Sequence, residues 1–250
     1  RARILDYDLI KTYVRLPDFL QKRVVEYAHQ HGIAVTSHQL YPAVSYGTDG
    51  VEHIGGRSRQ GYPTKETALN HSYRDVIDLI AASGMRMTPT VGIRGGFLLK
   101  AHRDPTLLED PRIRRLFPSW IVESTRSRVE RIREADLEVL ETRMKALGET
   151  VLAISRSGGR ILAGTDSPII PYGLSLHTEL EHFVDSGLSP FQALQAATLV
   201  SAEALGAGQD LGSIEAGKLA DMVIIDGDPL ADIRNTRKVR WVVKDGEVFD

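Results

Sequence analysis

Short apolar runs alternate with longer amphipathic stretches along most of this chain. The stretches between the runs carry apolar residues at helical spacing, as in DFLQKRVVEYAHQ (18–30) and SYRDVIDLIAASG (72–84). An alternation of strands with helices is typical of a parallel α/β sheet or barrel. The predicted strands are LIKTYV (9–14), IAVTSH (33–38), GVEHI (50–54), MRMTPTVG (85–92) and RILAGTD (160–166).

The second half of the chain changes character twice. A charged helical region runs from Asp104 to about Ser157, and we expect it to break near Pro118 because proline cannot continue a helix interior. After three further helical segments, the tail contains the β-branched runs LADMVIID (219–226) and VRWVVKDGEVF (239–249). Their Asp-Gly turns predict a small antiparallel β unit.

Composition excludes several classes of protein and narrows the metal chemistry. The chain has 250 residues with 31 basic and 33 acidic side chains, and this balance gives no electrostatic footprint for nucleic acid or an anionic membrane. No apolar run is long enough to span a bilayer. Because the chain has no cysteine, a bound metal would need nitrogen and oxygen ligands.

Four polar residues lie at the ends of predicted strands: Lys11, His38, His53 and Asp166. In a barrel the carboxyl ends of all strands meet on one face, so these side chains can surround one ion. Each has an ordinary alternative when taken alone, such as an ion-paired lysine, a structural histidine in the core, or an aspartate that caps the next helix. Their occurrence in this order favours the metal site of a barrel hydrolase.

Two arginines follow predicted strands and are candidates for substrate binding. Arg57 comes after GVEHI and Arg94 comes after MRMTPTVG, so both are expected on loops at the same face of the sheet. A guanidinium group binds a carboxylate through two parallel hydrogen bonds. The alternative is that both are ordinary surface arginines.

The chain resembles the metal-dependent amidohydrolase superfamily over nearly its whole length. It is most similar to the imidazolonepropionase-like and prolidase-like branch, and residues 8–38 resemble members that are fused to a β-propeller. The resemblance implies a (β/α)8 TIM barrel beside a small β-sandwich, and it allows a β-propeller domain upstream in the parent protein. The motifs that carry it are AGTDSP, HTELEHFVDSGLSPFQALQAAT, SAEALG and GSIEAGKLADMVIIDGDPL.

The resemblance also implies a role for each strand-end residue. Lys11 matches a lysine that carbon dioxide converts to a carbamate bridging two metals, and His38 and His53 match histidine ligands. Asp166 matches an aspartate that is both a metal ligand and the general base, and later the general acid, for attack by metal-activated water. The expected cofactor is a divalent metal, zinc before others, with one or two ions bound.

On this resemblance the chain is incomplete. Residues 1–210 would supply strands four to eight of the barrel, and residues 211–250 would supply the C-terminal strands of the composite β-sandwich. The His-x-His motif of strand one is missing, and we interpret His29-x-His31 as a surface pair on a helix. Since the chain begins without Met, we interpret it as the C-terminal part of a longer protein of undetermined compartment. We expect residues 1–250 alone to associate through unpaired strand edges and to lack activity.

The expected function is a metal-dependent hydrolase of amide, peptide-like or cyclic C–N bonds. Its substrate would be a small molecule or a peptide-like compound, because cyclic-imide hydrolases, dipeptidases and deaminases share the same metal frame. The competing interpretation is a catalytically incomplete fragment, or a non-catalytic interaction module that retains the fold. An upstream strand carrying His-x-His would discriminate between the two.

Overall fold

Five short strands form one parallel sheet in the computed structural model, which describes residues 2–55 and 64–250. Each strand pairs with the next one along the chain, so the order in space follows the order in sequence. All five carboxyl ends therefore lie at one edge of the sheet. The strands are β1 (Leu9–Thr12), β2 (Ala34–Ser37), β3 (Gly50–Glu52), β4 (Arg86–Thr88) and β5 (Arg160–Ile161).

Helices follow β1, β3 and β4 and continue beyond β5, whereas β2 leads to β3 through one short 3-10 helix, Ala43–Tyr46. The expected break at Pro118 is confirmed, because one helix ends at Leu116 and the next begins at Ser119. No described helix is long and apolar enough to cross a membrane. The helices are α1 (Asp18–His29), α2 (Arg74–Ser83), α3 (Gly96–Arg103), α4 (Pro111–Leu116), α5 (Ser119–Glu130), α6 (Glu134–Arg156), α7 (Leu174–Asp185), α8 (Pro190–Ala197) and α9 (Leu199–Ala204).

The main hydrophobic core lies between the sheet and the helices that cover one of its faces. Val51 of β3 and Met87 of β4 are buried there beside Ile80 of α2, Leu147 of α6 and Phe183 of α7. The apolar residues of α2 recur at helical spacing and face this cluster. Burial of such side chains stabilises each by about 1.5–3 kcal/mol relative to exposure, which fixes the helices against the sheet.

The chain after α9 forms a second, three-stranded antiparallel sheet. Its strands are β6 (Met222–Ile225), β7 (Val239–Lys244) and β8 (Glu247–Phe249), as the Asp-Gly turns predicted. Several of its apolar side chains are exposed, with Val248 at 62% and Val223 at 58% of full exposure.

A buried ion pair joins the tail to the helices around the first sheet. Arg237 precedes β7, and its guanidinium Nε donates to Glu181 of α7 at 2.6 Å. The same guanidinium contacts Asp104 at 3.1 Å, and Lys100 of α3 lies 3.4 Å from Glu181. Since the carboxylate of Glu181 is almost fully buried, it needs these cations, and removing both would leave an unpaired charge in the interior.

Gly164, two residues before Asp166, allows the segment after β5 to approach β4 closely. The pairing continues beyond β5, because the Leu162 N–H donates to the Met87 carbonyl at 2.8 Å. A Cβ atom at Gly164 would overlap Cγ2 of Thr88. This contact explains why the strand that leads to Asp166 carries a glycine.

We therefore predict that Gly164→Ala destabilises the protein by about 1–3 kcal/mol, because a methyl group is forced against Thr88. Urea unfolding of the variant measures the loss. Thr88→Ser removes Cγ2 and is the matched partner, so the double variant should recover most of the lost stability. Equal losses in the single and the double variant would show that the overlap with Cγ2 is not the cause.

Candidate active site at the sheet edge

The four strand-end residues predicted from the sequence converge at the carboxyl edge of the five-stranded sheet. His53 lies at the centre, with its Nε2 atom 3.5 Å from Lys11 Nζ and 3.8 Å from Asp166 Oδ2. The ring of His38 lies 4.9 Å from that of His53, centroid to centroid. Both histidines are buried, Lys11 is exposed, and the Asp166 side chain is 32% exposed.

A hydrogen bond to Thr90 determines which nitrogen of His53 carries the proton. His53 Nδ1 lies 2.6 Å from the Thr90 hydroxyl oxygen, and that hydroxyl donates its own hydrogen to the Pro89 carbonyl at 2.8 Å. The hydroxyl oxygen is therefore the acceptor, and His53 Nδ1 is the donor. In the neutral imidazole the lone pair is then on Nε2, which faces Lys11 and Asp166.

Burial keeps both imidazoles neutral at physiological pH. It lowers the pKa of His53 to about 3 and that of His38 to about 4. The positive charges of Lys11 and Lys65 contribute to both of these lowered pKa values, after burial itself. His38 Nδ1 is buried and has no hydrogen-bond partner among the described residues. Neutral imidazole with an available lone pair is the form that binds metals.

Left-handed backbone conformations turn two of these side chains toward the site. Glu52 lines a cavity with Leu9 and Thr36, on the same sheet face as Lys11. Because side chains alternate along a strand, His53 would then face away from Lys11. His53 instead leaves the strand with φ of 61°, and Asp166 has φ of 54°. Residues other than glycine adopt this region at a cost of about 1–3 kcal/mol, and such strain clusters at functional sites.

Lys65 is a buried residue beside the site that the sequence did not reveal. Its ammonium group donates to the carbonyl oxygens of His38 and Glu52, both at 2.8 Å, and so joins the ends of β2 and β3. Burial lowers the pKa of Lys65 to about 7, against the opposing effect of Glu52 and Glu66. No sequence signal marks it, because it lies in a loop and the described groups to which it donates are main-chain carbonyls of distant strand ends.

The structure describes one of the two arginines that the sequence offered for substrate binding. Arg57 lies outside the described residues. Arg94 follows β4, as expected, and its guanidinium is already engaged by the Glu66 carboxylate at 2.6 Å and by the Asn70 side-chain oxygen at 3.2 Å. A substrate carboxylate at Arg94 would have to compete with Glu66.

The His29 and His31 side chains lie away from this edge. Both are exposed at the end of α1, where His29 contacts Asp49 at 2.8 Å and His31 contacts the Tyr27 carbonyl at 2.8 Å. The interpretation of His29-x-His31 as a surface pair is therefore confirmed.

The converging side chains fit a divalent metal ion, although the described residues contain no ready-made group of three His, Cys, Asp or Glu ligands. Two ligands about 2.1 Å from one tetrahedral ion lie about 3.4 Å apart, close to the 3.8 Å between His53 Nε2 and Asp166 Oδ2. The nitrogen donors such an ion would use are the unprotonated Nε2 of His53 and the Nδ1 of His38, which has no hydrogen-bond partner among the described residues.

Comparison with known proteins concerns the fold and the family of this chain. The chain is 36% identical to the imidazolonepropionase of Thermoplasma volcanium over 78 residues. This aligned segment covers 31% of this chain and 19% of that protein. A Xaa-Pro dipeptidase crystallised with methionine in its active site superposes with a TM-score of 0.67 at 23% identity, covering 99% of this chain and 56% of that one.

A putative prolidase from Bifidobacterium longum superposes with a TM-score of 0.65 at 22% identity, covering 97% of this chain and 55% of its own. The chain thus spans about half the length of these solved relatives. These two similarities concern the fold, whose α/β architecture they share with this chain. Residues 17–249 match the amidohydrolase family. The chain therefore belongs to the amidohydrolase family.

Proposed function

We propose that this chain carries part of the active site of a metal-dependent hydrolase that cleaves amide, peptide-like or cyclic C–N bonds. The observation that carries the proposal is the convergence of Lys11, His38, His53 and Asp166 at one sheet edge, with the lone pair of His53 Nε2 directed at the other groups. Membership of the amidohydrolase family supports a hydrolase of such bonds.

In this proposal Lys11, His38, His53 and Asp166 hold one or two divalent ions, and zinc suits the nitrogen and oxygen donors. Lys11 would serve as its carbamate, formed when the neutral amine adds to carbon dioxide and loses a proton. When bound, the ion supplies Lewis acidity, which polarises the scissile carbonyl and lowers the pKa of water.

Asp166 is proposed as the general base and then the general acid. Its side chain is partly exposed beside His53 Nε2, so its carboxylate can take a proton from the attacking water. The same proton then passes to the leaving nitrogen as the C–N bond breaks. His53 and His38 remain neutral throughout, because burial opposes their protonation.

Arg94 and Arg57 are proposed to bind an acidic group of the substrate. The Xaa-Pro dipeptidase and the imidazolonepropionase suggest two substrate classes for this chain, a dipeptide with a free carboxylate and a cyclic amide. At Arg94 the acidic group of the substrate would replace the Glu66 carboxylate, which is hydrogen-bonded to the guanidinium in this structure.

The second candidate is a barrel that keeps the fold without turnover. It is favoured by one observation, the lack of three conventional metal-ligating residues in a group within 2–55 and 64–250. A His-x-His strand encoded upstream would argue against this candidate.

The proposed domain division assigns residues 1–210 to the barrel portion and residues 211–250 to a composite β-sandwich. The exposed side chains of Val223, Val242 and Phe249 support it, because they lie on one face of the small sheet and an apolar sheet face is normally covered.

The first prediction from the proposed function concerns metal content. In the full-length protein, Lys11→Ala, His38→Ala and His53→Ala should each lower the zinc bound per chain, because each removes a ligand. Elemental analysis after dialysis measures it. His31→Ala is the control, since this exposed histidine lies away from the site. Unchanged zinc in the Lys11 and His38 variants would refute the assignment.

A second prediction concerns acid stability. His38 and His53 have pKa values of about 4 and about 3 in the folded chain and about 6.5 when unfolded. Below pH 6.5 the unfolded chain therefore binds more protons, and the free energy of unfolding should fall as pH decreases from 6.5 toward 4. Each histidine contributes a slope of up to about 1.4 kcal/mol per pH unit.

Urea unfolding of the metal-free protein between pH 8 and pH 4.5 tests this dependence, and His53→Asn should flatten it. At pH 8 the imidazoles are neutral in both the folded and the unfolded chain. The difference in the free energy of unfolding between wild type and His53→Asn at that pH therefore measures only the loss of packing. The same slope in wild type, His38→Asn and His53→Asn would contradict the prediction.

The third prediction concerns Asp166. Asp166→Asn should lower kcat by roughly 10²- to 10⁴-fold while the melting temperature stays close to wild type, because an amide cannot accept the proton. Zinc content measured on the same sample separates loss of the base from loss of a ligand. Full activity in this variant would mean that another residue is the base.

A further inference from the structure

A buried carboxylate on α7 binds the loop that follows β4. Glu179 has no exposed surface, and its two oxygens accept hydrogen bonds from the Val91 N–H and the Gly92 N–H, each at 2.8 Å. Among the described residues no basic side chain pairs with it. Burial raises the pKa of Glu179 to about 7, and only main-chain N–H groups oppose this effect. An isolated buried carboxylate is costly, so its presence needs a reason.

The loop that Glu179 binds contains Thr90, which immediately precedes Val91. Thr90 has φ of 50° and ψ of 51°, a left-handed conformation that is costly for a β-branched residue. Such a conformation persists only where neighbouring contacts enforce it. The two hydrogen bonds to Glu179 act on the residues next in the chain and so provide that enforcement.

Gly92 allows the loop to lie between Glu179 and the segment that follows Asp166. A Cβ atom at Gly92 would come within 2.8 Å of Ile170 Cδ1 and 3.5 Å of Glu179 Oε2. The loop is therefore held from two sides, and its hydroxyl-bearing residue faces His53.

We propose that Glu179 is a positioning residue that acts on His53 through Thr90. By holding Thr90 in its left-handed conformation, Glu179 keeps the threonine hydroxyl oxygen where it accepts the hydrogen of His53 Nδ1. The lone pair of His53 Nε2 is thereby directed at Lys11 and Asp166. The inference rests on the proposed function only for the use of that lone pair in metal binding.

The tautomer of His53 tests the inference without metal or substrate. In the metal-free, full-length protein labelled with ¹⁵N-histidine, NMR should show wild-type His53 protonated at Nδ1. Glu179→Gln places an amide N–H against one of the backbone N–H groups that the carboxylate binds, which should release the loop and the Thr90 hydroxyl. His53 Nδ1 would then lose its acceptor, so His53 should shift toward a mixture of tautomers. Thr90→Val should do the same, and the double variant should show no larger shift than the stronger single variant.

Glu181→Gln is the matched control. Glu181 is buried on the same helix and pairs with Arg237, so this variant should lower the melting temperature and leave the His53 tautomer unchanged. Glu179→Asp is the second route, because it keeps the carboxylate but shortens the side chain by one methylene and so withdraws it from the Val91 and Gly92 N–H groups, and it decides the matter if Glu179→Gln fails to fold.

A second measurement uses zinc alone. Glu179→Gln and Thr90→Val should each weaken zinc binding by about 10- to 100-fold, the usual effect of removing a group that orients a ligand. A tautomer shift in Thr90→Val together with none in Glu179→Gln and Glu179→Asp would overturn the inference. If wild type binds no zinc, the proposed function fails, while the tautomer result still decides the role of Glu179.

Discussion

Parallel pairing from β1 to β5 is the constraint on which every contact of the site depends. The register places Lys11 opposite Thr36, and it places Glu52 opposite Thr88. A slip of one residue would exchange the two faces of a strand and move its terminal side chain away from the edge. Core packing fixes this register, because Val51 and Met87 must stay on the covered face of the sheet. The geometry of the site therefore depends on the packing of the core.

The carboxyl edge itself is held by polar contacts that are costly to bury. Lys65 joins the ends of β2 and β3, and Glu179 fixes the loop after β4. Both charges bind main-chain atoms, which have fixed positions once the sheet has formed. This differs from the surface, where Arg–Asp pairs such as Arg234 and Asp232 lie close in sequence and contribute little to stability. The interior charges thus determine geometry more than they add stability.

The sequence was sufficient for the strands and for the residues at their ends, because apolar runs and their polar termini are local patterns. It did not reveal Thr90, Lys65 or Glu179. Thr90 and Lys65 act through atoms that belong to other strands, and no spacing rule connects them with their partners. Glu179 lies in a segment that reads as an amphipathic helix, and its hydrogen-bond partners are more than eighty residues away. Strand alternation also cannot describe His53, because its backbone leaves the strand conformation.

Strand order that follows chain order has a consequence for how the site assembles. β1, β2 and β3 are joined by short connections, so the groups at their ends can meet through contacts of low sequence separation. β5 pairs with β4 only after the chain has passed through α3, α4, α5 and α6, and closing that long excursion carries a larger entropic cost. We expect the histidines to gather early in folding and Asp166 to join them last. By the same reasoning, a partial opening of the folded chain would release the carboxylate before it separated the imidazoles.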